Sequence, residues 1–494
     1  MHRILIFATL YVLAWIAVPP LLGQSFALDV VESLSWGQEW QWGYYKHPPL
    51  APVVLNIFYV TLGKFGPYVL SQLCIALTLV MVWRTGRRLM DADRAFLGTV
   101  LTMGVAYYNF PAIEFNHNIA QMPLWAALGY GFVAALQDGK LRQWLGLGLL
   151  AGLGMLTKYS IAVLLLTFGL FVLVRADQRK LLLRLGPWLA VGTMLLVLVP
   201  HLLWLQASEG LPFAYASARA AALASNPRAE ALMFPITQLA AHLPLLAVLT
   251  WAWWRTHTLT KAQPAAAGPR LHTHNPALLL WLALVPGVIV VLLGVTLGMR
   301  LRDMWGSPMW AFSGLLVVAC VPAQRLAWMR PSLLRALAVW LVLVTAFMTV
   351  YMGWGAQLRG RPARVDWPAL TLAQQADRTW QQLSTCPLDT VAGDYWLTGL
   401  VSAFGASRPS VLIDGDARFS PWVDTQRLQT RGALWFWQAK PGATAPQPPE
   451  PLASLALDDL QVQEGSWQIA WPHAIADAPL QLRWRAYIPL ACRR

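Results

Sequence analysis

The sequence predicts a polytopic α-helical membrane protein with about 11 transmembrane helices, followed by a small α/β domain. Three observations carry this prediction. Of 494 residues, 57% are hydrophobic and 12% charged, where a soluble globular chain carries about 25% charged residues. Mean hydropathy is +0.48. Apolar runs near spanning length recur as far as residue 353, and beyond about residue 355 they give way to short apolar segments among polar, turn-rich ones. Such a composition excludes a disordered chain, a coiled coil and an ordinary cytosolic enzyme. The excess of 37 basic over 23 acidic residues would point to nucleic acid in a soluble chain. Here loop topology accounts for it, and no nucleic-acid partner is expected.

A helix crosses the bilayer core with about 20 apolar residues. The runs that approach this length are 4–22, 66–83, 95–112, 119–136, 143–157, 159–174, 185–204, 234–254, 277–297, 309–323 and 332–353. The first resembles a signal peptide but lacks a small-x-small cleavage site, so a retained helix is expected. Residues 50–62 are apolar too, and Pro48, Pro49 and Pro52 suggest a re-entrant or interfacial piece. With Arg3 inside, the cytoplasmic loops hold 17 Lys and Arg and the opposite loops seven. That bias places the N-terminus in the cytoplasm and, with an odd number of spans, the C-terminal part outside.

The linker 255–276 carries His257, His272 and His274, read as a solvated loop with a metal site as the alternative. The chain thus divides into a membrane domain, 1–354, and an outer α/β domain, 355–494. In the latter, strands are expected at Asp389–Ala392, Ser410–Ile413, Ala433–Trp437, Trp467–Trp471 and Gln481–Tyr487, and a helix at 368–383. Cys74 and Cys320 lie in apolar runs and read as packing residues. Cys386 and Cys492 lie in the polar part and could form a disulfide outside the cytoplasm.

Polar groups are scarce in the spans and gather in the outer loops, which favours a site at the membrane–water boundary over a path through the bilayer. In the first loop, Asp29 and Glu32 share a helical face at i, i+3 and could serve as a base or a metal-binding pair. Lys46 and His47 precede two prolines that hold the backbone extended. A cation fixed there suits an anionic phosphate leaving group. The competing reading is an interfacial helix with solvated acids and an aromatic belt of Trp36, Trp40, Trp42, Tyr44 and Tyr45. The second loop concentrates Glu114, Asn116, His117 and Asn118 at a helix start, where Asn118 is either an N-cap or part of a polar site. Lys158 stands alone between two apolar runs; it either snorkels or binds a lipid phosphate. Arg300 and Arg302 suit a phosphate fork, with an Arg–Asp303 surface pair as the alternative.

The loop acids, Tyr44-Tyr45-Lys46-His47-Pro48-Pro49-Leu50, the polar loop ending at Asn118 before Leu124-Trp125, and Gly152-Leu153-Gly154-Met155-Leu156-Thr157-Lys158-Tyr159 resemble the PMT/ArnT-like glycosyltransferases. The closer resemblance is to the RgtA/B/C/D-like group of bacterial integral-membrane transferases, over roughly residues 1–310. Val391-Ala392-Gly393-Asp394-Tyr395-Trp396 and Arg408-Pro409-Ser410-Val411 are similar to the extra-membrane domain of some members. The resemblance implies a GT-C fold, a polyprenyl-phosphate-linked sugar as donor and transfer on the periplasmic side of the inner membrane. It also implies an acidic catalytic residue in the first loop. Glu32 falls where the family has the Glu of an adjacent Asp-Glu pair; Val31 precedes it, and the nearest acid is Asp29. Lys46 replaces an Asp, and Asn118 stands where many members have an acid.

The expected activity is transfer of a sugar to lipid A, lipopolysaccharide core or a related envelope glycan. Asp29 or Glu32 takes the acceptor's proton; Lys46, His47, Lys158 and Arg302 hold the donor phosphate; Glu114, His117 and Asn118 form a second polar site. A divalent metal, if used, falls to Asp29, Glu32, Glu114 and His117. The alternatives are a transporter or flippase of lipid-linked saccharides, and a catalytically inactive homologue.

Overall fold

The computed structural model describes residues 2–223, 226–260, 271–439, 446–472 and 478–494. The stretch 261–270 of the linker and the side chain of His257 lie outside the described residues. The chain divides into two compact units. One comprises Met1–Trp15, Lys46–Ala51 and Val69–Phe347, the other Ile16–Tyr45, Pro52–Tyr68 and Met348–Arg494.

By length and composition, six helices among the described residues can cross a membrane, or eight if two bent pairs each count as one span. They include Leu5–Leu22, the long apolar stretch Leu50–Leu89, His117–Asp138, Leu185–Ala207, Pro276–Leu297 and Ala323–Arg359. The proline-flanked run 50–62 folds as a helix, Leu50–Leu62, that continues through the turn Gly63–Phe65 into Gly66–Leu89. The runs 143–157 and 159–174 fold as the shorter helices Leu141–Thr157 and Ile161–Val174, separated at Lys158-Tyr159-Ser160.

In the first unit, small residues set how closely helices approach. A Cβ on Gly148 would lie 2.3 Å from the Ala190 carbonyl oxygen, so the helices Leu141–Thr157 and Leu185–Ala207 meet backbone to backbone. Gly139, at φ +65°, ends His117–Asp138 in the left-handed conformation and turns the chain directly into Leu141–Thr157. That turn makes the two helices antiparallel, so that Asn118 at the start of one and Lys158 at the end of the other lie at the same end and meet. At the end of the linker His272 and His274 are exposed, their backbone N–H groups donating to the Ala319 and Leu89 carbonyls at 2.8 Å. Cys74 is buried, whereas Cys320 is exposed, because the expected run 309–323 is helical only over Ser313–Cys320 and the cysteine ends it.

In the second unit, strands β1 (Thr390–Gly393), β2 (Ser410–Ile413), β3 (Ala433–Gln438), β4 (Leu460–Ile469) and β5 (Leu480–Pro489) form one sheet in the order β2-β1-β3-β5-β4. β1 pairs in parallel with β2 and β3; β5 pairs antiparallel with β3 and β4. β4 begins earlier than its expected Trp467 start and stops before Trp471. Its polar residues Gln461, Gln463 and Glu464 are carried by the antiparallel ladder to β5, where Glu464 faces Arg485. One face of the sheet buries Leu412, Leu428, Trp435, Leu452 and Tyr487 in a common apolar cluster. On the other side the helices Ala369–Leu383 and Tyr395–Phe404 pack together, and Trp467 donates through its indole nitrogen to Thr379 Oγ1 at 2.9 Å. Asp394 caps Tyr395–Phe404, accepting from the Trp396 and Leu397 N–H groups at 3.0 and 3.2 Å.

Cys386 and Cys492 form a disulfide, with Cα atoms 5.3 Å apart across a sequence separation of 106. Closing so long a loop restricts the unfolded chain. Cys386→Ser is therefore expected to lower the stability of this sheet domain by about 2–4 kcal/mol, read as a lower melting temperature of the detergent-solubilised full chain by tryptophan fluorescence.

Asp389, just before β1, accepts from Arg427 Nε at 2.7 Å and from Arg431 Nη1 at 3.0 Å. Burial raises its carboxyl, but the two guanidiniums and the Thr390 hydroxyl outweigh it and hold the group below the usual carboxylate range. A carboxyl depressed in the folded state contributes stability above its unfolded pKa of about 3.9 and loses it as pH falls through the folded value. The acid melting curve of Asp389→Asn should accordingly be flatter below about pH 4, with a loss of about 1–2 kcal/mol at neutral pH.

Candidate active site

The first loop is divided between the two units, running to Tyr45 in one and resuming at Lys46 in the other. Each unit presents its own group of polar side chains.

In the first unit the polar group forms around two chain ends. Asn116 caps the helix His117–Asp138, its Oδ1 accepting from the N–H groups of Asn118 at 2.8 Å and Ile119 at 3.2 Å. The capping role therefore belongs to Asn116. The Asn118 side chain is left to accept a hydrogen bond from Lys158 Nζ. Lys158 terminates Leu141–Thr157, its N–H bonded to the Gly154 carbonyl at 2.9 Å, and continues with an extended backbone. It is 9% exposed and does not snorkel. Its ammonium also lies 5.9 Å from the centroid of the Trp305 ring, a cation–π distance. Two residues on, Ser160 Oγ donates to Gln121 Oε1 at 2.8 Å, so the polar contact between the two helix ends is double.

His47 brings the first loop to the same group. Its ring lies 4.0 Å from that of buried His117, at 31°. Burial first, then the charges of His117, Lys158 and Lys46, hold the His47 imidazole well below its usual range, so it is neutral at physiological pH. Lys46 lies with its ammonium 5.4 Å from the Tyr215 ring centroid. Tyr159 adds a hydrogen bond of 3.0 Å to His201 Nε2 and a stack on Phe213. Glu114 is half-buried at the end of the turn Phe110–Ile113, three residues before His117.

Arg302 is exposed and precedes the turn Asp303–Gly306, its carbonyl accepting from the Trp305 N–H at 3.0 Å. Arg300 pairs with Glu230, at 2.7 Å, and not with Asp303. The Asp303 carbonyl instead accepts from the Tyr107 hydroxyl at 2.7 Å and from the Gln238 amide at 3.2 Å, which anchors the loop bearing both arginines.

In the second unit the acids lie on the helix Leu28–Gly37. Asp29 occupies its first turn, half-buried, where a negative charge suits the helix dipole. Glu32 is 8% exposed and accepts from the Tyr45 hydroxyl at 3.0 Å through Oε1. This helix packs on Tyr395–Phe404 of the sheet domain. A Cβ on Gly399 would come within 2.6 Å of Val31 Cγ1, so only glycine permits the approach. Beyond the helix, Gln38 Nε2 donates to Ser402 Oγ and to the Pro409 carbonyl, at 3.0 and 3.2 Å. The loop acids therefore belong with the sheet domain in one compact unit. The expected aromatic belt is split: Trp36, Tyr44 and Tyr45 are buried, while Trp40 and Trp42 are exposed.

Among the described residues, no group of three or more His, Cys, Asp or Glu is arranged to hold a metal, and Asp29, Glu32, Glu114 and His117 do not form one.

Residues 46–204 match the dolichyl-phosphate-mannose-protein mannosyltransferase family. The lipopolysaccharide core galacturonosyltransferase RgtA of Rhizobium johnstonii is 23% identical over 436 residues, which cover 86% of this chain and 84% of that protein. RgtB of the same organism is 28% identical over 225 residues, covering 43% and 44%. The crystal structure of ArnT from Cupriavidus metallidurans bound to undecaprenyl phosphate superposes with a TM-score of 0.64 at 15% identity, covering 98% of each chain. Its apo form gives 0.55 at 13% identity, again over 98% of each. The matched segment contains Lys46, His47, His117, Asn118 and Lys158, so the polar group of the first unit falls within it. With its multi-pass helical unit and its small sheet domain, the chain has the fold of ArnT and resembles the PMT/ArnT-like glycosyltransferases in sequence.

Proposed function

We propose that the protein transfers a sugar from a polyprenyl-phosphate donor to an envelope acceptor, lipid A or lipopolysaccharide core, on the periplasmic face of the inner membrane. The observation that carries this reading is the buried Lys158 ammonium held on the Asn118 amide beside the His47–His117 pair. A buried ammonium fixed in place by an amide, next to two imidazoles, is a preorganised donor for a phosphate oxygen. A lipid phosphate is the anion that a membrane-embedded transferase meets, and the solved ArnT is bound to undecaprenyl phosphate. The acceptor class is supported by the lipopolysaccharide-core relatives RgtA and RgtB.

The chemistry assigned to the residues is an inverting displacement. The acceptor hydroxyl oxygen bonds to the anomeric carbon as the bond from that carbon to the donor phosphate oxygen breaks. Glu32, oriented by Tyr45, takes the hydroxyl proton, with Asp29 one turn earlier on the same helix as the second acid. Polyprenyl phosphate leaves with the extra negative charge, which Lys158, Lys46 and Arg302 neutralise. Neutral His47 offers a ring N–H to a phosphate oxygen without adding charge. Residues 1–354 form the catalytic membrane domain in this reading and 355–494 the periplasmic domain. The Cys386–Cys492 disulfide and the 17-to-seven loop bias support the cytoplasmic N-terminus and the outer placement.

Losing a general base costs about 10²–10⁴ in rate. Mass spectrometry of lipid A and core glycans from a deletion strain should show a missing sugar, restored by the wild-type chain and not by Glu32→Gln. Asp29→Asn should restore part of it. An unchanged glycan profile on deletion, with a lipid-linked sugar accumulating instead, overturns the transferase in favour of a transporter. Full restoration by Glu32→Gln overturns the assignment of the base.

A further inference from the structure

We propose that the loop 414–422 of the sheet domain is a positioning element for Glu32, acting through the ring of Tyr45. This inference rests on the reading of Glu32 as the base.

The Tyr45 hydroxyl donates to Glu32 Oε1 at 3.0 Å. The Tyr45 ring is held on two sides: Phe419 stacks on it, with centroids 4.3 Å apart and planes at 18°, and Trp36 meets it edge-on at 5.6 Å and 84°. Tyr45 is 2% exposed, so its ring has little room to turn. Its neighbour Tyr44 stacks on Trp36 at 5.6 Å and meets Trp422 edge-on at 6.4 Å. Phe419 and Trp422, from one loop, thus each touch one of two consecutive tyrosines.

The loop is built to hold those two rings in place. Asp414 at φ +51° and Gly415 at φ +75° turn the chain sharply after β2. Ser420 Oγ accepts from the Ile413 N–H at 2.8 Å and closes the turn from the far side. Phe419 N–H donates to the Asp416 carbonyl at 3.1 Å, and Asp416 is forked by Arg418 through Nε and Nη2. Trp422 donates through its indole nitrogen to the Val411 carbonyl at 3.1 Å, inside β2.

A glutamate side chain has three torsions to fix before its carboxylate points one way. A tyrosine has two, and a ring clamped on its face and edge has neither free. The phenol oxygen then determines where Oε1 rests. Removing Phe419 frees one face of the ring, and the hydroxyl no longer stays on the carboxylate. Two effects follow. The base is misplaced, which lowers the rate. It also loses a hydrogen bond to its charged form, which raises its pKa. Phe419 is a positioning residue in this account, acting through Tyr45.

The test uses membranes of a deletion strain carrying the full chain, with their own lipid-linked sugars as donor and the strain's envelope glycans as acceptor. Initial rate is measured per amount of protein across pH. Phe419→Ala should lower the rate roughly ten- to hundredfold and move the acid limb of the pH–rate profile to higher pH. Tyr45→Phe should do the same, and the double variant should be no worse than Tyr45→Phe alone. Phe419→Tyr, which keeps the stack, should restore both rate and profile. Should Phe419→Ala fail to accumulate, Phe419→Leu keeps apolar bulk without a planar face and carries the same prediction.

A rate loss with an unmoved acid limb, or no rescue by Phe419→Tyr, means that the loop only supports the fold and overturns the inference. A wild-type rate and profile for Phe419→Ala, with Glu32→Gln inactive, overturns the inference and leaves the base reading standing. An active Glu32→Gln overturns the base reading itself.

Discussion

The first unit is organised around one buried lysine, whose ammonium has to find polar partners inside an apolar structure. Removing a lysine from water costs several kcal/mol unless polar groups receive it. Asn118 receives it here, and the rest follows from placing Asn118 correctly. The helix His117–Asp138 has to start at His117, which Asn116 enforces by taking the cap. The next helix has to stop at Thr157, so that Lys158 leaves the helical path and turns inward. Gly139 connects the two helices tightly, and Gly148 seats the second against Leu185–Ala207. The His47–His117 ring pair then brings the start of the family-matched segment to the same point.

The second unit solves a different problem, the orientation of a buried acid. The helix Leu28–Gly37 carries two acids that sequence position alone does not distinguish. Burial and a tyrosine donor distinguish Glu32, whereas Asp29 stays half-buried at the helix start. Helix Leu28–Gly37 rests on the helix Tyr395–Phe404 through Gly399, and the aromatic clamp reaches Tyr45 from the loop after β2. The packing of the sheet domain therefore sets the geometry of the first loop up to Tyr45.

Much of this was legible in the sequence because it depends on local pattern. Strands at Ser410–Ile413 and Ala433–Gln438 follow from short β-branched and aromatic runs between turn residues, and the helix Ala369–Leu383 from one-sided apolar spacing. The motif residues Lys46, His47, His117, Asn118 and Lys158 were legible through their resemblance to a family. What the pattern concealed was pairing. Asn116 and Asn118 are equivalent as N-cap candidates until the helix register is known. Lys158 reads equally as a snorkelling or a bound cation until Asn118 is seen to meet it. Phe419 has no signal at all, because a lone phenylalanine in a polar loop looks the same whether it stacks on a distant tyrosine or on nothing. The sequence pattern starts β4 late because Gln461, Gln463 and Glu464 interrupt the apolar run, on a stretch that the ladder to β5 leaves half-buried or exposed.

The proposed function turns on whether Lys158 receives a lipid phosphate. The most direct measurement is native mass spectrometry of the detergent-solubilised full chain titrated with undecaprenyl phosphate. Lys158→Met should weaken binding about tenfold or more, while Lys64→Met, which removes an exposed lysine, should bind as the wild type does. Equal affinity for Lys158→Met and the wild type would contradict the claim.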